Sequence, residues 1–174
     1  MGARREGWWR GLALLALAPL ALITDCGDPG AVHLHEDGPR RLTATVIDVV
    51  DGDTIEVRLE DGTVEDVRYI GVDTPESVDP DEPVQCFAHR AARANAALVS
   101  GRDVSLRFDA ERRDDYGRLL AYVYVGGRLV NAALLRRGLA RTLTIAPNDS
   151  LAYRFARLAA AAGRAGRGLW GACR

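Results

Sequence analysis

Acidic residues and arginines recur at short spacings along the chain. Asp53 and Asp73 follow segments rich in Val, Ile and Thr, and Glu76 lies three residues beyond Asp73. Arg68 precedes Asp73 by five residues, and Arg118 follows an Asp-Asp-Tyr-Gly sequence. A phosphodiester resists hydrolysis because its negative charge repels nucleophiles, so a catalyst needs cations at the phosphoryl oxygens and a base that activates water. The five residues are of the types that this chemistry requires.

Each of these residues, taken singly, also has a simple structural explanation. Asp51-Gly52-Asp53 is a common turn sequence, and Arg68 and Arg118 would suit a strand-face ion pair and a solvated turn. Carboxylate oxygens also suit Ca²⁺, which accepts irregular geometry and backbone carbonyls such as that of Thr74. An arginine fork can hold two phosphoryl oxygens. Asp51 is either a turn former or a carboxylate that orients the metal ligands.

Hydrophobic periodicity predicts the elements that must position these residues. Alternating runs rich in Val, Ile and Thr, separated by Asp-Gly and Gly-Gly turns, predict five strands, over residues 43–50, 54–59, 64–72, 104–108 and 119–125. Apolar positions at helical spacing predict three helices, over residues 87–99, 130–137 and 150–162, the last with Ser150 as its N-cap. A polar loop over 77–83 should be exposed and mobile. The predicted fold class is α+β, a five-stranded OB-type β-barrel with about three helices.

Length and charge limit how a polyanion could be bound. The chain has 174 residues, which suits one globular domain, and its 23 basic and 24 acidic residues give a formal net charge of −1. Every basic residue is Arg, because the sequence contains no Lys. Attraction to a polyanion therefore requires a local basic patch or a bound cation.

The N-terminus resembles an export signal. Three arginines precede an apolar run from Leu12 to Ile23, which is short of the ~20 residues that span a bilayer. We expect residues 1–26 to be a signal peptide, 27–41 a flexible linker and 42–174 the folded domain. Secretion is the expected localisation. Lipidation at Cys26, which would give a cell-envelope lipoprotein and the only membrane attachment, remains an alternative.

Export would place Cys86 and Cys173 in an oxidising compartment, where they could pair. A bridge would close a long loop and stabilise the fold by about 4 kcal/mol in the chain-entropy model. Two separate buried thiols are the alternative.

Three segments together resemble the signatures of the staphylococcal (micrococcal) nuclease family. They are Asp51-Gly52-Asp53-Thr54, the run from Arg68 to Glu76, and Asp115-Tyr116-Gly117-Arg118. The resemblance continues through residues 85–87, 121–124, 130–132 and 168–170, and covers roughly 42–173. It implies an OB-fold enzyme that uses Ca²⁺ to hydrolyse DNA and RNA, leaving 3'-phosphate products.

The resemblance also implies a role for each matching position. The metal ligands would be Asp53, Asp73 and the Thr74 carbonyl, with Asp51 behind them. Glu76 would be the general base, and Arg68 and Arg118 would stabilise the transition state. Tyr116 would contact a substrate phosphate.

Two segments depart from the family's pattern. Residues 141–148, which include Leu143 and Ile145, carry no aromatic side chain where the family has tyrosines that flank the nucleotide, so we expect looser substrate binding. Asp115 stands beside Tyr116 where a basic residue is common.

The alternative function is a non-catalytic OB module that binds nucleic acid or protein. Retention of all five charged positions favours the enzyme, which we expect to be a monomeric endonuclease without an obligate protein partner.

Overall fold

The computed structural model describes residues 40–76 and 83–173. The predicted signal peptide, Cys26, the linker as far as residue 39 and most of the predicted polar loop lie outside the described residues. The described ranges contain six strands: β1 Arg41–Val49, β2 Thr54–Leu59, β3 Val64–Tyr69, β4 Asp103–Arg107, β5 Leu119–Val125 and β6 Arg128–Leu129. Four helices accompany them: α1 Ala88–Val99, α2 Val130–Arg137, α3 Ala152–Arg164 and α4 Leu169–Ala172.

The first five strands close into a barrel. Their order is β3-β2-β1-β4-β5, and β3 pairs in parallel with β5, which joins the two ends of the sheet. The long β1 pairs with both β2 and β4, and a register shift between Val46 and Asp48 lets it bend from one partner to the other. The predicted OB-type α+β fold is confirmed.

Alternation along the strands fills the barrel interior. Val46, Val57, Val67, Leu106 and Val123 are all at most 2% exposed. This apolar interior is the main source of the fold's stability. No helix in residues 40–76 and 83–173 is long and apolar enough to cross a membrane.

A buried amide fixes the chain where it leaves β3. Asn131 on α2 is fully buried, accepts the Val123 N–H at 2.9 Å and donates to the Ile70 carbonyl at 2.8 Å. It therefore ties α2, β5 and the end of β3 together just before the segment that carries Asp73. A buried amide with satisfied partners specifies one arrangement more strictly than an apolar contact does.

The third strand ends earlier than predicted. It stops at Tyr69 rather than Val72, because Gly71 adopts φ +77° and packs so closely on α3 that an added Cβ would lie 2.6 Å from Phe155. The chain turns there, and Asp73 pairs instead with Arg141 through two backbone hydrogen bonds. Asp73 is thus held by the segment after α2, not by the strand that precedes it.

The N-cap predicted for the third helix, α3, is wrong. The helix begins at Ala152 with Leu151 at its N-cap, and the Ser150 hydroxyl donates to Asp109 Oδ1 at 2.6 Å. The Ser150 hydroxyl therefore binds a carboxylate outside the helix instead of capping the helix N-terminus. The short β6 and α4 were also not predicted, since two and four residues are too few to show a period.

A disulfide joins Cys86, just before α1, to Cys173, just after α4. Its two residues are 87 positions apart in the sequence, and it is the pairing that the sequence analysis favoured. The bond attaches the C-terminal end of the chain to the segment that follows Glu76.

Candidate active site

The turn that carries Asp53 is held from inside the barrel. Asp51 Oδ1 accepts the Asp53 N–H at 2.8 Å, and the Asp53 carbonyl accepts the Tyr69 N–H at 2.9 Å. Asn95 on α1 donates to the Asp51 carbonyl at 3.0 Å and accepts the Tyr69 hydroxyl at 3.0 Å. Asn95 and Tyr69 are at most 1% exposed. Asp51 therefore orients the turn, and a buried Asn–Tyr pair fixes it in the fold.

Asp53 is a buried carboxylate with partners on both oxygens. It is 3% exposed, and Oδ1 lies 2.7 Å from Arg68 Nη1. Oδ2 accepts the Thr74 N–H at 2.6 Å and the Thr74 hydroxyl at 3.0 Å. Arg68 Nη1 also donates to the Val72 carbonyl at 3.0 Å, and Nη2 lies 3.4 Å from Asp73 Oδ1. One guanidinium thus lies between two carboxylates that come from different parts of the chain.

The charge at Asp53 is only partly compensated. Burial, together with the neighbouring Asp51 carboxylate, raises its pKa to about 7 despite the lowering effects of Arg68 and the Thr74 hydrogen bonds. Since one arginine does not outweigh the burial, further positive charge at this position would stabilise the ionised carboxylate. A bound cation would supply it.

The donor atoms at this position fit a hard cation. In the described part of the chain no three His, Cys, Asp or Glu side chains converge to hold a metal ion, and Asp53 and Asp73 are the two carboxylates that Arg68 bridges. Ca²⁺ completes such a set with backbone carbonyls and water. The Thr74 carbonyl belongs to a residue whose N–H and hydroxyl already bind Asp53. The residues present therefore fit Ca²⁺ as part of an oxygen shell.

Close packing of Gly52 on Thr74 sets the distance between the two ligand segments. A Cβ at Gly52 would lie 2.5 Å from Thr74 Oγ1 and 2.7 Å from its Cβ. Any side chain there must separate the Asp53 turn from Thr74.

Replacing Gly52 by Ala is therefore expected to lower activity at least tenfold, because a displacement of even 1 Å in a catalytic group is costly. The control is Gly62→Ala, which also changes a turn glycine but meets nothing within 4 Å, although its φ of +89° strains the backbone. Initial rates and urea unfolding should be measured for both. Equal activity losses in the two variants would show that the Gly52 contact does not position the site.

Glu76 is held through its backbone. Its N–H donates to Gln85 Oε1 at 3.2 Å and its carbonyl accepts the Gln85 N–H at 2.9 Å. Gln85 precedes Cys86 of the disulfide, and both lie with Asp73, Thr74 and Cys173 around a cavity of about 170 Å³. The disulfide and Gln85 thus anchor the returning end of the loop that begins at Glu76.

Arg118 is oriented by Asp114 across a tight turn. Asp114 Oδ2 lies 2.8 Å from both Nε and Nη2 of Arg118, and Oδ1 accepts the backbone N–H groups of Tyr116 and Arg118. These contacts leave Nη1 directed elsewhere, on a side chain that is 32% exposed. Tyr116 is 86% exposed, and its ring centre lies 5.3 Å from the Arg118 guanidinium carbon. The turn therefore presents a fixed arginine beside an accessible aromatic ring.

A further ion pair braces the same turn. Arg113 lies 2.7 and 2.8 Å from the two oxygens of Glu65 on β3, and it donates to the Gly117 carbonyl at 2.6 Å. These hydrogen bonds hold the pKa of Glu65 below its usual range. Because Glu65 and Arg113 are 48 positions apart, this ion pair could not be predicted from the sequence.

One cleft of about 330 Å³ brings the two predicted catalytic arginines together. Arg68 and Arg118 line it with Tyr116, and Leu143 and Ile145 form an aliphatic part of its wall. Further lining residues include three acids, Glu111, Asp114 and Asp115. Asp53 lies behind Arg68, and Asp73 and Thr74 line the smaller cavity that Cys86 shares. The cleft can hold an anionic group between two guanidinium groups, beside a pair of carboxylates suited to a cation.

Comparison with known proteins shows which family the chain resembles. The family described as staphylococcal nuclease homologue matches residues 66–172. A thermonuclease of Staphylococcus intermedius is 39% identical over 147 residues, 80% of this chain and 83% of that protein. A thermonuclease of Staphylococcus hyicus is 38% identical over 137 residues, 79% of each chain. Endonuclease YncB of Bacillus subtilis is 45% identical over 109 residues, 62% of this chain and 51% of that protein.

The matched region includes β5 with its preceding arginine turn, the segment of Asp73 and Glu76, and all four helices. The family resemblance predicted from the short motifs is thereby confirmed over most of the folded domain. The chain belongs to the staphylococcal nuclease family.

Proposed function

We propose that this protein is a Ca²⁺-dependent nuclease that hydrolyses DNA, RNA or both at internal phosphodiester bonds and leaves 3'-phosphate ends. The hydrolytic nuclease class follows from the family and from relatives named thermonuclease and endonuclease. The observation that carries the finer proposal is the shared cleft of Arg68 and Arg118, with Asp53 and Asp73 bridged behind it by Arg68.

The two arginines would bind the phosphoryl oxygens of the reacting group. Each guanidinium is fixed by a carboxylate, Arg68 by Asp53 and Arg118 by Asp114, so little reorganisation accompanies the reaction. Arg118 can direct Nη1 at an oxygen without breaking its Asp114 contacts. Asp53, Asp73 and the Thr74 carbonyl would hold Ca²⁺, which supplies positive charge to the phosphoryl group.

Glu76 would accept a proton from the attacking water. Glu76 lies two residues beyond Thr74 and its backbone is held by Gln85, so the carboxylate leaves the chain next to the cation ligands. Tyr116, which is exposed beside Arg118, would contact a neighbouring phosphate. Leu143 and Ile145 offer no aromatic ring for stacking, so we expect the chemistry to be retained with weaker nucleotide binding.

We also propose that the protein acts outside the cytoplasm as a monomer. The Cys86–Cys173 disulfide supports export, because such bonds persist in oxidising compartments. Cell fractionation distinguishes secretion after signal cleavage from anchoring through a lipid on Cys26. A secreted protein is recovered from the medium, and a lipoprotein is recovered from the cell envelope.

The test is cleavage of a 5'-labelled single strand of DNA in Ca²⁺, in excess chelator, and in chelator followed by excess Ca²⁺. We expect internal cuts with Ca²⁺, a loss of rate of about 10³-fold or more in chelator, and recovery when Ca²⁺ is restored. Phosphatase sensitivity of the new 3' ends identifies the product. Undiminished cleavage in chelator would contradict the metal assignment, and tight binding without cleavage in all three conditions would favour the alternative, a non-catalytic binding module.

A further inference from the structure

Positive charge is concentrated in the last part of the chain. From Ser150 to the C-terminus there are 5 arginines and no Asp or Glu, whereas residues 1–149 contain the other 18 basic residues and all 24 acidic ones. The formal charges are therefore +5 and −6, which sum to the −1 of the whole chain. The overall charge conceals a strongly basic segment, and α3 forms most of it.

The arginines of α3 face away from the barrel. Phe155, Ala159 and Ala162 are buried. At 3.6 residues per turn, Arg157 and Arg164 fall about 170° from the centre of that buried side. Tyr153 lies one turn before Arg157 on the same side of the helix. Arg154 borders this face. The helix thus presents a basic surface while its apolar side is used by the fold.

The exposed side combines cations with an accessible ring. Tyr153 is 78% exposed, and the Arg157 guanidinium carbon lies 6.0 Å from its ring centre. Arg154, Arg157 and Arg164 line an open depression of about 520 Å³, with Ala160 and Ala161 forming part of its floor. We call the surface formed by Tyr153, Arg154, Arg157 and Arg164 the α3 arginine face. Small residues between arginines allow a phosphate backbone to approach the helix closely.

The α3 arginine face is close to the candidate active site along the chain. Asn148 lines the cleft and lies five residues before Tyr153, so their Cα atoms are at most ~17 Å apart. The start of the helix is also fixed: Asp109 accepts the Ser150 N–H at 3.0 Å and the Ser150 hydroxyl at 2.6 Å, and Asn148 donates to the Glu111 carbonyl at 3.0 Å. A strand held in the cleft need extend by only about five nucleotide spacings to reach Tyr153.

We propose that the α3 arginine face is a second binding surface for the substrate strand, which holds the phosphate backbone outside the reacting cleft. This inference rests on the proposed nuclease function. Guanidinium groups on a fixed helix bind phosphates without reading sequence, and an exposed tyrosine can stack on any base. The face also accounts for how a chain of net charge −1 retains a polyanion although Leu143 and Ile145 replace aromatic rings in the cleft.

A nucleic acid strand fits this face better than an anionic membrane does. Interfacial helices bury a broad apolar side in the lipid. In α3 that side, with Phe155 and Ala159, is already packed in the protein core. What remains exposed is charged or small, with Tyr153 as its one large ring.

The test compares two triple variants of the full chain. R154A/R157A/R164A removes the cations of the α3 arginine face, and R58A/R93A/R128A removes three exposed arginines from other elements, so the net charge change is the same. Alanine favours helix, so the first variant should fold, and urea unfolding checks both. For each, KM and kcat are measured on a 40-nucleotide and a 4-nucleotide DNA strand. Binding of the labelled 40-mer is measured by fluorescence anisotropy in chelator at several salt concentrations.

The first variant is expected to raise KM for the 40-mer roughly tenfold and to reduce the salt dependence of binding by a slope of about 2, as loss of three phosphate contacts predicts. Its kcat, and KM for the 4-mer, should remain those of the control variant. Identical 40-mer binding in the two variants would overturn the inference. Binding to phosphatidylglycerol vesicles is measured in parallel, and a loss of vesicle binding with unchanged 40-mer binding would overturn it too. The binding measurement needs no cleavage, so it decides the role of the α3 arginine face by itself. If the wild-type protein cuts neither strand, the nuclease proposal is refuted, and the binding measurement still stands.

Discussion

Replacing Arg118 by Ala is expected to lower kcat on single-stranded DNA by about 10³-fold, the effect of removing an arginine that stabilises charge in phosphoryl transfer. The Asp114 contacts fix two of its three guanidinium nitrogens, and Arg118 lines the cleft. Arg118→Lys should recover only part of the loss, because an ammonium keeps the charge but not the planar fork. Single-turnover rates at saturating substrate measure the effect.

Arg112→Ala is the matched control for this prediction. Arg112 lies six residues away, and its guanidinium stacks at 4.4 Å over Phe108 instead of lining the cleft. Its loss should change kcat less than about threefold, as is usual for a surface side chain that does not touch the reacting groups. Similar rates for Arg118→Ala and Arg112→Ala would mean that the reaction occurs elsewhere.

Replacing Arg68 by Ala should damage both the reaction and the fold. The side chains of Arg68 and Asp53 are 16% and 5% exposed, and their nitrogen and oxygen are 2.7 Å apart. Removing one partner of a buried pair strands the other charge, at a cost of about 3 kcal/mol or more in the free energy of unfolding. The rate should fall about 10³-fold as well, because the same guanidinium lines the cleft.

The stability cost of Arg68→Ala should depend on pH in a definite direction. The pKa of Asp53 is raised from 3.8 to about 7 in the fold, so the folded state favours the neutral carboxyl. The stability that the folded state gains by binding this proton is complete below pH ~4 and is lost as pH rises through about 7. Arg68→Ala should therefore destabilise the protein more at pH 8, where Asp53 of the wild type is ionised and paired with Arg68, than at pH 5, where Asp53 is neutral with or without Arg68. Urea unfolding in chelator at the two pH values measures this, and an equal loss at both would show that Asp53 is not the stranded charge.

A double variant separates the two roles of Arg68. In Asp53→Asn/Arg68→Met both buried charges are removed together, which restores much of the stability lost in Arg68→Ala. Activity should not return, since both a cation ligand and a phosphate-binding group are gone. Recovered activity in this stable variant would contradict the roles proposed for the pair.

The barrel could be predicted because strand alternation is a local property. Val46 and Val57 alternate with exposed neighbours, so their strands are visible in the sequence. The end of β3 was missed because it depends on Gly71 packing against Phe155, 84 positions away. The Ser150 cap was missed for the same reason, since Asp109 competes for its hydroxyl from a distant loop. Long-range contacts override local preference at these points.

The charged site residues were visible from their types and order, but their supports were not. Asn95, Gln85 and the Glu65–Arg113 pair hold the turns that carry Asp53, Glu76 and Arg118. Each acts through a partner that lies far away in the sequence or through the backbone. A polar residue among the buried alanines of α1 was the one available signal, and it pointed to Asn95.

The central claim is that Arg68 and Arg118 act on the same phosphodiester in one site. It is tested most directly by a double-mutant cycle in single-turnover cleavage of a defined DNA strand with Ca²⁺. If each single alanine variant loses about 10³-fold, the double variant should lose well under the 10⁶-fold product, because groups that act as a unit in one transition state are strongly non-additive. Losses that multiply in full, or an Arg118 variant that cleaves at the wild-type rate, would contradict the account.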